Sequence, residues 1–257
     1  MARLVRPDGC ALYYEVAGDP RRPPIVLLEG LGGDIPGWRR NIPHLAAELF
    51  VVAFDHRGNG RSDAPDEPMT MRIFADDTLA LLDELRLERA HVYGQSFGGM
   101  VAQELVLAAP QRVQSLILAC THAGGARVAP VRRTVPKDKP WLSLYSERFA
   151  REHPEHVAED LRVGSRNPQR PYAGRRQYEA MQGLDAYERL PHIAVPTLVM
   201  HGTEDAVIDV DNARILAERI PNAELVLLEG AGHLYHSEQP DRVDGVVLDF
   251  IRRHRDG

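Results

Sequence analysis

The chain has 257 residues and carries 37 acidic against 31 basic side chains, a net charge of −6. A chain of this length can bury a full core, and its negative balance argues against broad nucleic-acid binding, which normally requires a basic surface. It contains no apolar run near the roughly 20 residues of a membrane span, and no apolar N-terminal signal segment. We therefore expect a soluble, cytoplasmic protein with neither nucleic acid nor membrane as partner.

The first half of the chain alternates predicted strands with predicted helices. Residues 24–29 and 50–55 are apolar runs that each end in one acidic residue, the pattern of strands covered on both faces of a parallel sheet. Residues 10–18 are rich in strand formers between two turns, which indicates an outer hairpin partner. The predicted strands are 10–18, 24–29, 50–55 and 90–95, and the predicted helices are 37–48, 73–87 and one that follows residue 96. This alternation implies parallel pairing.

The second half interrupts this pattern after a predicted strand at 113–120. Residues 122–191 contain no buried-strand pattern and carry 13 Lys and Arg against 9 Asp and Glu, unlike the rest of the chain. We interpret this stretch as a helical cap, with helices near 141–153, 154–163 and 171–184, inserted into a core domain formed by 1–121 and 192–257. The core then resumes with strands at 197–202 and 223–228 and helices at 210–220 and 239–254.

The stretch Gly94-Gln95-Ser96-Phe97-Gly98 joins a predicted strand to a predicted helix. Glycines two residues before and after a serine allow a turn tight enough to present the hydroxyl at the top of a sheet. From the composition, about 0.05 chance matches to this pattern are expected in the chain. Ser96 is therefore our candidate nucleophile, against the alternative of a surface serine in a glycine-rich loop.

The order of these parts resembles the α/β-hydrolase superfamily over nearly the whole chain. Residues 94–98 resemble its nucleophile elbow, 55–62 its loop after the preceding strand, 201–205 its acid turn and 230–233 its histidine loop. The resemblance implies a mostly parallel central sheet flanked by helices, with an inserted helical cap. Gly30-Leu31-Gly32 is similar to the capped small-molecule esterases and to the enol-lactonases of aromatic degradation.

A serine hydroxyl needs a base, and the Gly230-Ala231-Gly232-His233 loop indicates His233. The competitor is His236, interpreted as a helix-entry or surface residue. We assign no chemistry to the remaining candidates, which are expected to be structural or solvated: His44, His56, His91 and His201.

The acid that orients His233 is expected to be Asp205, which occupies the acid position of the family pattern. Glu204 and Asp209 lie in the same loop. Glu204 is expected to be a solvated charge, and Asp209 suits the N-cap of the following helix.

By the same resemblance, the oxyanion donors are the backbone N–H groups of Leu31 and Phe97. One departure from the family lies beside them, because many relatives have His-Gly where this chain has Glu29-Gly30. A carboxylate that is buried there needs hydrogen bonds to loop amides or a cation, or it takes up a proton. The alternative is a side chain that turns to solvent.

The two cysteines, Cys10 and Cys120, are too few and too far apart for a disulfide framework, and no Cys/His cluster has metal-ligand spacing. We expect no metal and no cofactor. Substrate contacts are expected from the cap, with Trp141 and Tyr145 as candidates. Its positive balance indicates either a substrate that carries a carboxylate or a solvated face.

These features predict a cofactor-free serine hydrolase that cleaves a small ester or lactone through an acyl-enzyme. Thioesterase and perhydrolase activities use much the same parts. A small-molecule sensor that keeps an intact triad is the alternative of another class. An aspartate nucleophile is excluded, because the elbow carries Ser96.

Overall fold

The computed structural model describes residues 2–254. Its strands are β1 (Ala2–Val5), β2 (Ala11–Ala17), β3 (Pro24–Leu28), β4 (Phe50–Phe54), β5 (Ala90–Gln95), β6 (Val113–Ala119), β7 (Thr197–Gly202) and β8 (Glu224–Leu228). They form one sheet in the order β1-β2-β4-β3-β5-β6-β7-β8. β1 pairs antiparallel with β2, and β2 with β4, whereas the other neighbours are parallel. The seven predicted strands are confirmed, and β1 adds an eighth at the edge.

Helices cover both faces of this sheet. Within residues 2–254 they are α1 (Ile42–Ala46), α2 (Met71–Glu84), α3 (Phe97–Ala108), α4 (Glu147–Glu152), α5 (Pro154–Gly164), α6 (Pro171–Gln182), α7 (Asp211–Arg219), α8 (Tyr235–Glu238) and α9 (Pro240–Arg253). The mostly parallel sheet flanked by helices is the fold that the sequence predicts. No helix in this part of the chain is long and apolar enough to cross a membrane.

The predicted single helix over 37–48 is wrong. The chain instead forms a short 3₁₀ helix at Ile35–Trp38 and then α1. Pro36 and Pro43 lie in the first turns of these two elements. Proline lacks the N–H that an interior helical position needs, so a continuous helix cannot pass through Pro43. The predicted helix over 141–153 is similarly divided, into a 3₁₀ turn at Pro140–Ser143 and α4.

The sheet separates two apolar cores. Successive residues of β3 point to opposite faces, so Val26 and Leu28 enter one cluster and Ile25 and Leu27 the other. The first cluster packs beneath α2, α3 and α7, and the second beneath α1 and α9. These four side chains of β3 are fully buried, which explains the continuous apolar run in the sequence.

Between β6 and β7 the described chain forms helices and short turns, with no strand of the sheet. The two ends of this segment meet, because Gly124 forms an isolated antiparallel bridge with Asp185 and the amide of Ala186 donates to the carbonyl of Ala123. The boundaries of a separate cap domain at 122–191 stay a prediction.

The turn after β5 depends on glycines that face backbone atoms. A Cβ on Gly98 would lie 2.0 Å from the carbonyl oxygen of Leu28, and one on Gly94 would lie 2.3 Å from the carbonyl oxygen of Gly98. Backbone atoms inside a packed core cannot move aside as a flexible side chain can. These glycines therefore allow the first turn of α3 to lie directly against the end of β3.

Two glycines within helices provide a matched test of this packing. Gly98→Ala is expected to destabilise the protein by about 2 kcal/mol or more, because its methyl group overlaps the backbone of β3. Gly245→Ala, at an exposed position of α9 with nothing within 4 Å, is expected to stabilise it by about 0.5–1 kcal/mol. Urea denaturation measures both effects, and a destabilisation of equal size in the two variants would contradict the steric account.

Candidate active site

Three candidate residues follow three strands of the sheet at its carboxyl edge. Ser96 comes directly after β5, Asp205 lies in the turn after β7, and His233 lies in the loop after β8. Because β5, β6, β7 and β8 are consecutive parallel strands, their carboxyl ends open at the same edge. Open α/β sheets bind their ligands at this edge.

Ser96 occupies a strained turn. Its φ of +53° lies in the left-handed region, which residues with a Cβ rarely adopt. Its amide donates to the carbonyl of Ala119, and its own carbonyl accepts from the hydroxyl of Thr121 at 2.8 Å and from the amide of Gly99 at 2.9 Å. The backbone of Ser96 is therefore fixed between β6 and the first turn of α3, at the positive end of that helix.

His233 and Asp205 form a buried pair. Nδ1 of His233 lies 2.7 Å from Oδ2 of Asp205, and the other carboxylate oxygen accepts from the amides of Val207 at 2.8 Å and Ile208 at 2.9 Å. An ionised carboxylate only accepts hydrogen bonds, so the neutral imidazole carries its proton on Nδ1. Nε2 is then the nitrogen that can accept a proton.

The pair shifts the pKa values of both partners in opposite directions. Burial alone would raise the pKa of Asp205, but the neighbouring His233 and the hydrogen bonds hold it well below its usual range. Burial alone would lower the pKa of His233, but the charge of Asp205 and its hydrogen bond raise it well above the usual value. Asp205 is therefore ionised at neutral pH and makes His233 a stronger base.

The sequence assigns no chemistry to His201, but this side chain also contacts Asp205. Nε2 of His201 lies 3.1 Å from Oδ2 of Asp205 and 2.9 Å from the carbonyl oxygen of Ile208. The signal was its spacing of four residues from Asp205 across the end of β7, where both side chains are buried. His201 is the fourth group that holds this carboxylate.

The loop between β7 and α7, here called the acid loop, carries two other carboxylates, and both point away from His233. Glu204 pairs with Arg133 at 3.4 Å, and Asp209 accepts from the amide of Asp211 at 3.1 Å at the start of α7. Neither forms a hydrogen bond with His233 in the described structure.

His236 is buried, so its interpretation as a surface residue is wrong. It lies in α8, exposes 2% of its surface and packs against Trp38 with ring centroids 4.9 Å apart. Burial lowers its pKa to about 4, which leaves the ring neutral at neutral pH. The other histidines without assigned chemistry include His56 and His91, which are fully buried.

A cavity of about 720 Å³ connects the candidate residues. Ser96, His233, Leu31 and Tyr145 all contribute to its wall, and Asp205 lies behind His233. Leu31 belongs to the loop after β3, and the amide of Phe97 follows Ser96 at the first position of α3. Trp141 lies outside this wall, in a neighbouring cavity of about 870 Å³.

Cys120 lies close to the pair but does not complete a metal site. Its sulfur, a carboxylate oxygen of Asp205 and a ring nitrogen of His233 lie within 4.8 Å of one another. The thiol donates to the backbone carbonyl of His233, and burial raises its pKa, so it is protonated. Because a thiol binds metal as the thiolate and the other two groups bond to each other, this set does not suit a metal.

Comparison with known proteins identifies the family. A sequence model described as the α/β-hydrolase fold matches residues 23–162 and 141–240. The chain belongs to the α/β-hydrolase family. A protein of Azorhizobium caulinodans named as the carbamate hydrolase RutD is 32% identical over 254 residues, which cover 93% of this chain and 94% of that protein.

Two further relatives have names that include an activity. The 3-oxoadipate enol-lactonase 2 of Acinetobacter baylyi is 30% identical over 256 residues, covering 95% of this chain and 94% of the enzyme. The solved structure of a thermophilic esterase from Thermogutta terrifontis superposes with a TM-score of 0.86 at 28% identity, covering 99% of this chain and 100% of that one. The chain is accordingly a hydrolase of this fold.

Substitutions in the acid loop distinguish the three carboxylates. Asp205→Asn is expected to lower kcat by about 10³-fold or more, because an amide cannot hold the same imidazole tautomer or stabilise the imidazolium. Glu204→Gln and Asp209→Asn are expected to have small effects, since their side chains bond to Arg133 and to the start of α7. Steady-state hydrolysis of a p-nitrophenyl ester measures all three, and a larger loss in Glu204→Gln than in Asp205→Asn would reassign the acid.

Proposed function

We propose that this hydrolase cleaves small-molecule esters or lactones through a Ser96-His233-Asp205 triad and an acyl-enzyme. The observation that supports this most directly is the buried 2.7 Å contact between His233 and Asp205 in the loop beside Ser96, where His233 and Ser96 line one cavity. No residue of the proposed mechanism requires a cofactor.

In this mechanism, Ser96 Oγ attacks the carbonyl carbon of the substrate while Nε2 of His233 takes the hydroxyl proton. The substrate oxygen becomes an oxyanion that accepts hydrogen bonds from the amides of Leu31 and Phe97. The C–O bond to the leaving group then breaks, and His233 returns the proton to the departing alcohol. Water, deprotonated by His233, hydrolyses the acyl-enzyme in the second half. Asp205 stabilises the imidazolium at each step.

Covalent labelling and turnover test this proposal together. A fluorophosphonate is expected to inactivate the protein and to add a single mass increment to the peptide that contains Ser96, because the activated serine is the strongest nucleophile in the cavity. Ser96→Ala is expected to prevent labelling and to remove most of the esterase rate.

The same experiment separates the alternatives. Many turnovers per labelled site would exclude a ligand sensor that keeps an intact triad, and stoichiometric hydrolysis without turnover would support it. Parallel assays with a thioester and with peroxide as the acyl acceptor compare the activities that use the same residues. Inactivation with the label on another residue would overturn the assignment of Ser96.

We further propose that an apolar part of the substrate extends from the Ser96 cavity into the neighbouring one. Tyr145 and Leu161 contribute to the walls of both, so they lie at the boundary between them. The walls beyond them include Trp141, Leu142 and Val157. Such a path allows a substrate that is longer than the Ser96 cavity to reach Ser96.

Two basic residues in the wall of the second cavity form ion pairs, which reduces their attraction for a substrate carboxylate. Arg133 pairs with Glu204, and Arg132 pairs with Asp211. These ion pairs neutralise much of the positive balance of residues 122–191 that the sequence shows. We therefore infer that Arg132 and Arg133 position the loop before α4 against the loop after β7 and against α7.

A larger side chain at the boundary between the two cavities tests whether the substrate extends through it. Leu161→Trp is expected to lower the ratio of kcat/KM for p-nitrophenyl decanoate to that for the acetate by about tenfold or more, since the larger ring obstructs the longer chain. Leu225→Trp is the matched control, because Leu161 and Leu225 are 39% and 38% exposed and Leu225 lies on β8, outside both cavity walls. The same ratio in both variants would refute the extended path.

A further inference from the structure

Glu29 is folded beneath the loop that supplies the amide of Leu31. It follows β3 directly and contributes to the wall of the Ser96 cavity, yet only 6% of its surface is exposed. Two glycines leave the room for it: a Cβ on Gly33 would lie 2.4 Å from its Cγ, and one on Gly37 would lie 3.1 Å from its carboxyl carbon. Glu29 is therefore buried, and the alternative of a side chain that turns to solvent is wrong.

The carboxyl group of Glu29 has no cationic partner within residues 2–254. Its Oε2 atom is buried without a hydrogen-bond partner in that part of the chain, and the backbone N–H of Gly30 is the donor that favours the charged form. Arg39 lines the same cavity, but its guanidinium pairs with Asp160 on α5. Of the two partners that the sequence left open for a buried carboxylate, loop amides or a cation, this part of the chain therefore supplies the amide of Gly30 and no paired cation.

The groups around Glu29 disfavour a negative charge. Burial is the largest effect, and the carboxylates of Asp34 and Asp55 add to it, whereas His233 and the amide of Gly30 act against it. Together they raise the pKa of Glu29 to about 8. The adjoining ring of His56 is neutral, because burial lowers its pKa to about 4. At neutral pH this acid, beside the loop that carries Leu31, is therefore mainly uncharged.

We propose that Glu29 is a positioning residue that acts as an uncharged carboxylic acid. It supports the loop that carries Leu31, and it places no negative charge beside the reacting oxygen. This inference rests on the proposed function, because the oxyanion forms when Ser96 attacks the substrate carbonyl. A buried carboxylate at this position opposes that charge, because electrostatic effects are stronger there than in water. Loss of the Glu29 proton therefore lowers the activity on the alkaline side, and protonation of His233, whose pKa the charge of Asp205 raises, lowers it on the acid side.

The sign of the pH dependence follows from these two groups. As pH falls, protonation of His233 removes the base and kcat/KM decreases. As pH rises through about 8, Glu29 loses its proton and kcat/KM decreases again, by about tenfold per pH unit well above that value. In Glu29→Gln the side chain keeps its length and cannot ionise, so the acid limb remains and the alkaline limb disappears.

The pH–rate profile of a p-nitrophenyl ester between pH 5 and 9.5 tests this, with the Ser96→Ala protein as blank for spontaneous hydrolysis. Glu84→Gln is the matched control, because Glu84 is exposed at the end of α2, away from the cavity, and its variant is expected to keep both limbs. An alkaline limb in Glu29→Gln equal to that of the wild type would overturn the proposal. Glu29→Ala, which removes the support, is expected to lower kcat by about tenfold with a smaller change in KM.

A thermal-stability series provides a readout that does not depend on catalysis. The carboxyl of Glu29 ionises near pH 4.5 in the unfolded chain but near pH 8 in the folded one, so the folded state holds an extra proton between these values. Stability of the wild type relative to Glu29→Gln therefore falls across this window. The Tm of the wild type minus that of Glu29→Gln is expected to fall from pH 5 to pH 8, and a constant difference would show that Glu29 ionises normally.

Failure of the proposed function and failure of the role proposed for Glu29 give different experimental results. An absence of turnover with Ser96 unlabelled would refute the proposed function, whereas the stability series would still report the buried acid. Turnover with Ser96 labelled, together with identical alkaline limbs in wild type and Glu29→Gln, would refute only the role of Glu29.

Discussion

The contact between the start of α3 and the end of β3 is the constraint on which the candidate site depends. Gly98 has no side chain, so the first turn of α3 packs on the carbonyl of Leu28. The chain beyond Leu28 must therefore pass beside Ser96, and this passage brings the loop with Leu31 close to that side chain. A larger residue at position 98 would separate the hydroxyl from the loop amide, because both are fixed to the same two backbone segments.

The candidate acid and base, Asp205 and His233, depend on a second constraint, the cost of burying Asp205. Removing a carboxylate from water is unfavourable unless its oxygens are fully bonded. Here one oxygen accepts two backbone amides and the other contacts two imidazole rings. These four contacts account for a buried acid whose pKa stays low, and they fix the ring of His233 with Nε2 available. The orientation of the base thus follows from satisfying the acid.

The sequence predicted what depends on local pattern and chain order. Buried strands such as β3 are visible as apolar runs, and the order Ser96, Asp205, His233 follows from strands that share one edge. It did not predict the division of 37–48, where Pro43 outweighs the helical pattern, or the contact of His201 with Asp205. The surroundings of Glu29 were also beyond it, because they come from Asp34, Asp55 and His233 on different loops.

Asp205 and Glu29 show how one fold uses two buried carboxyl groups in opposite states. Both are almost fully buried, so desolvation disfavours the charge on each. Asp205 receives donors on both oxygens and faces two histidines, which outweighs the cost of burial. Glu29 has the amide of Gly30 and faces two further acids, so burial prevails and the proton stays. The same chemical group therefore supplies a fixed negative charge behind His233 and an uncharged support beneath the loop with Leu31, and the difference lies in the number and sign of its neighbours.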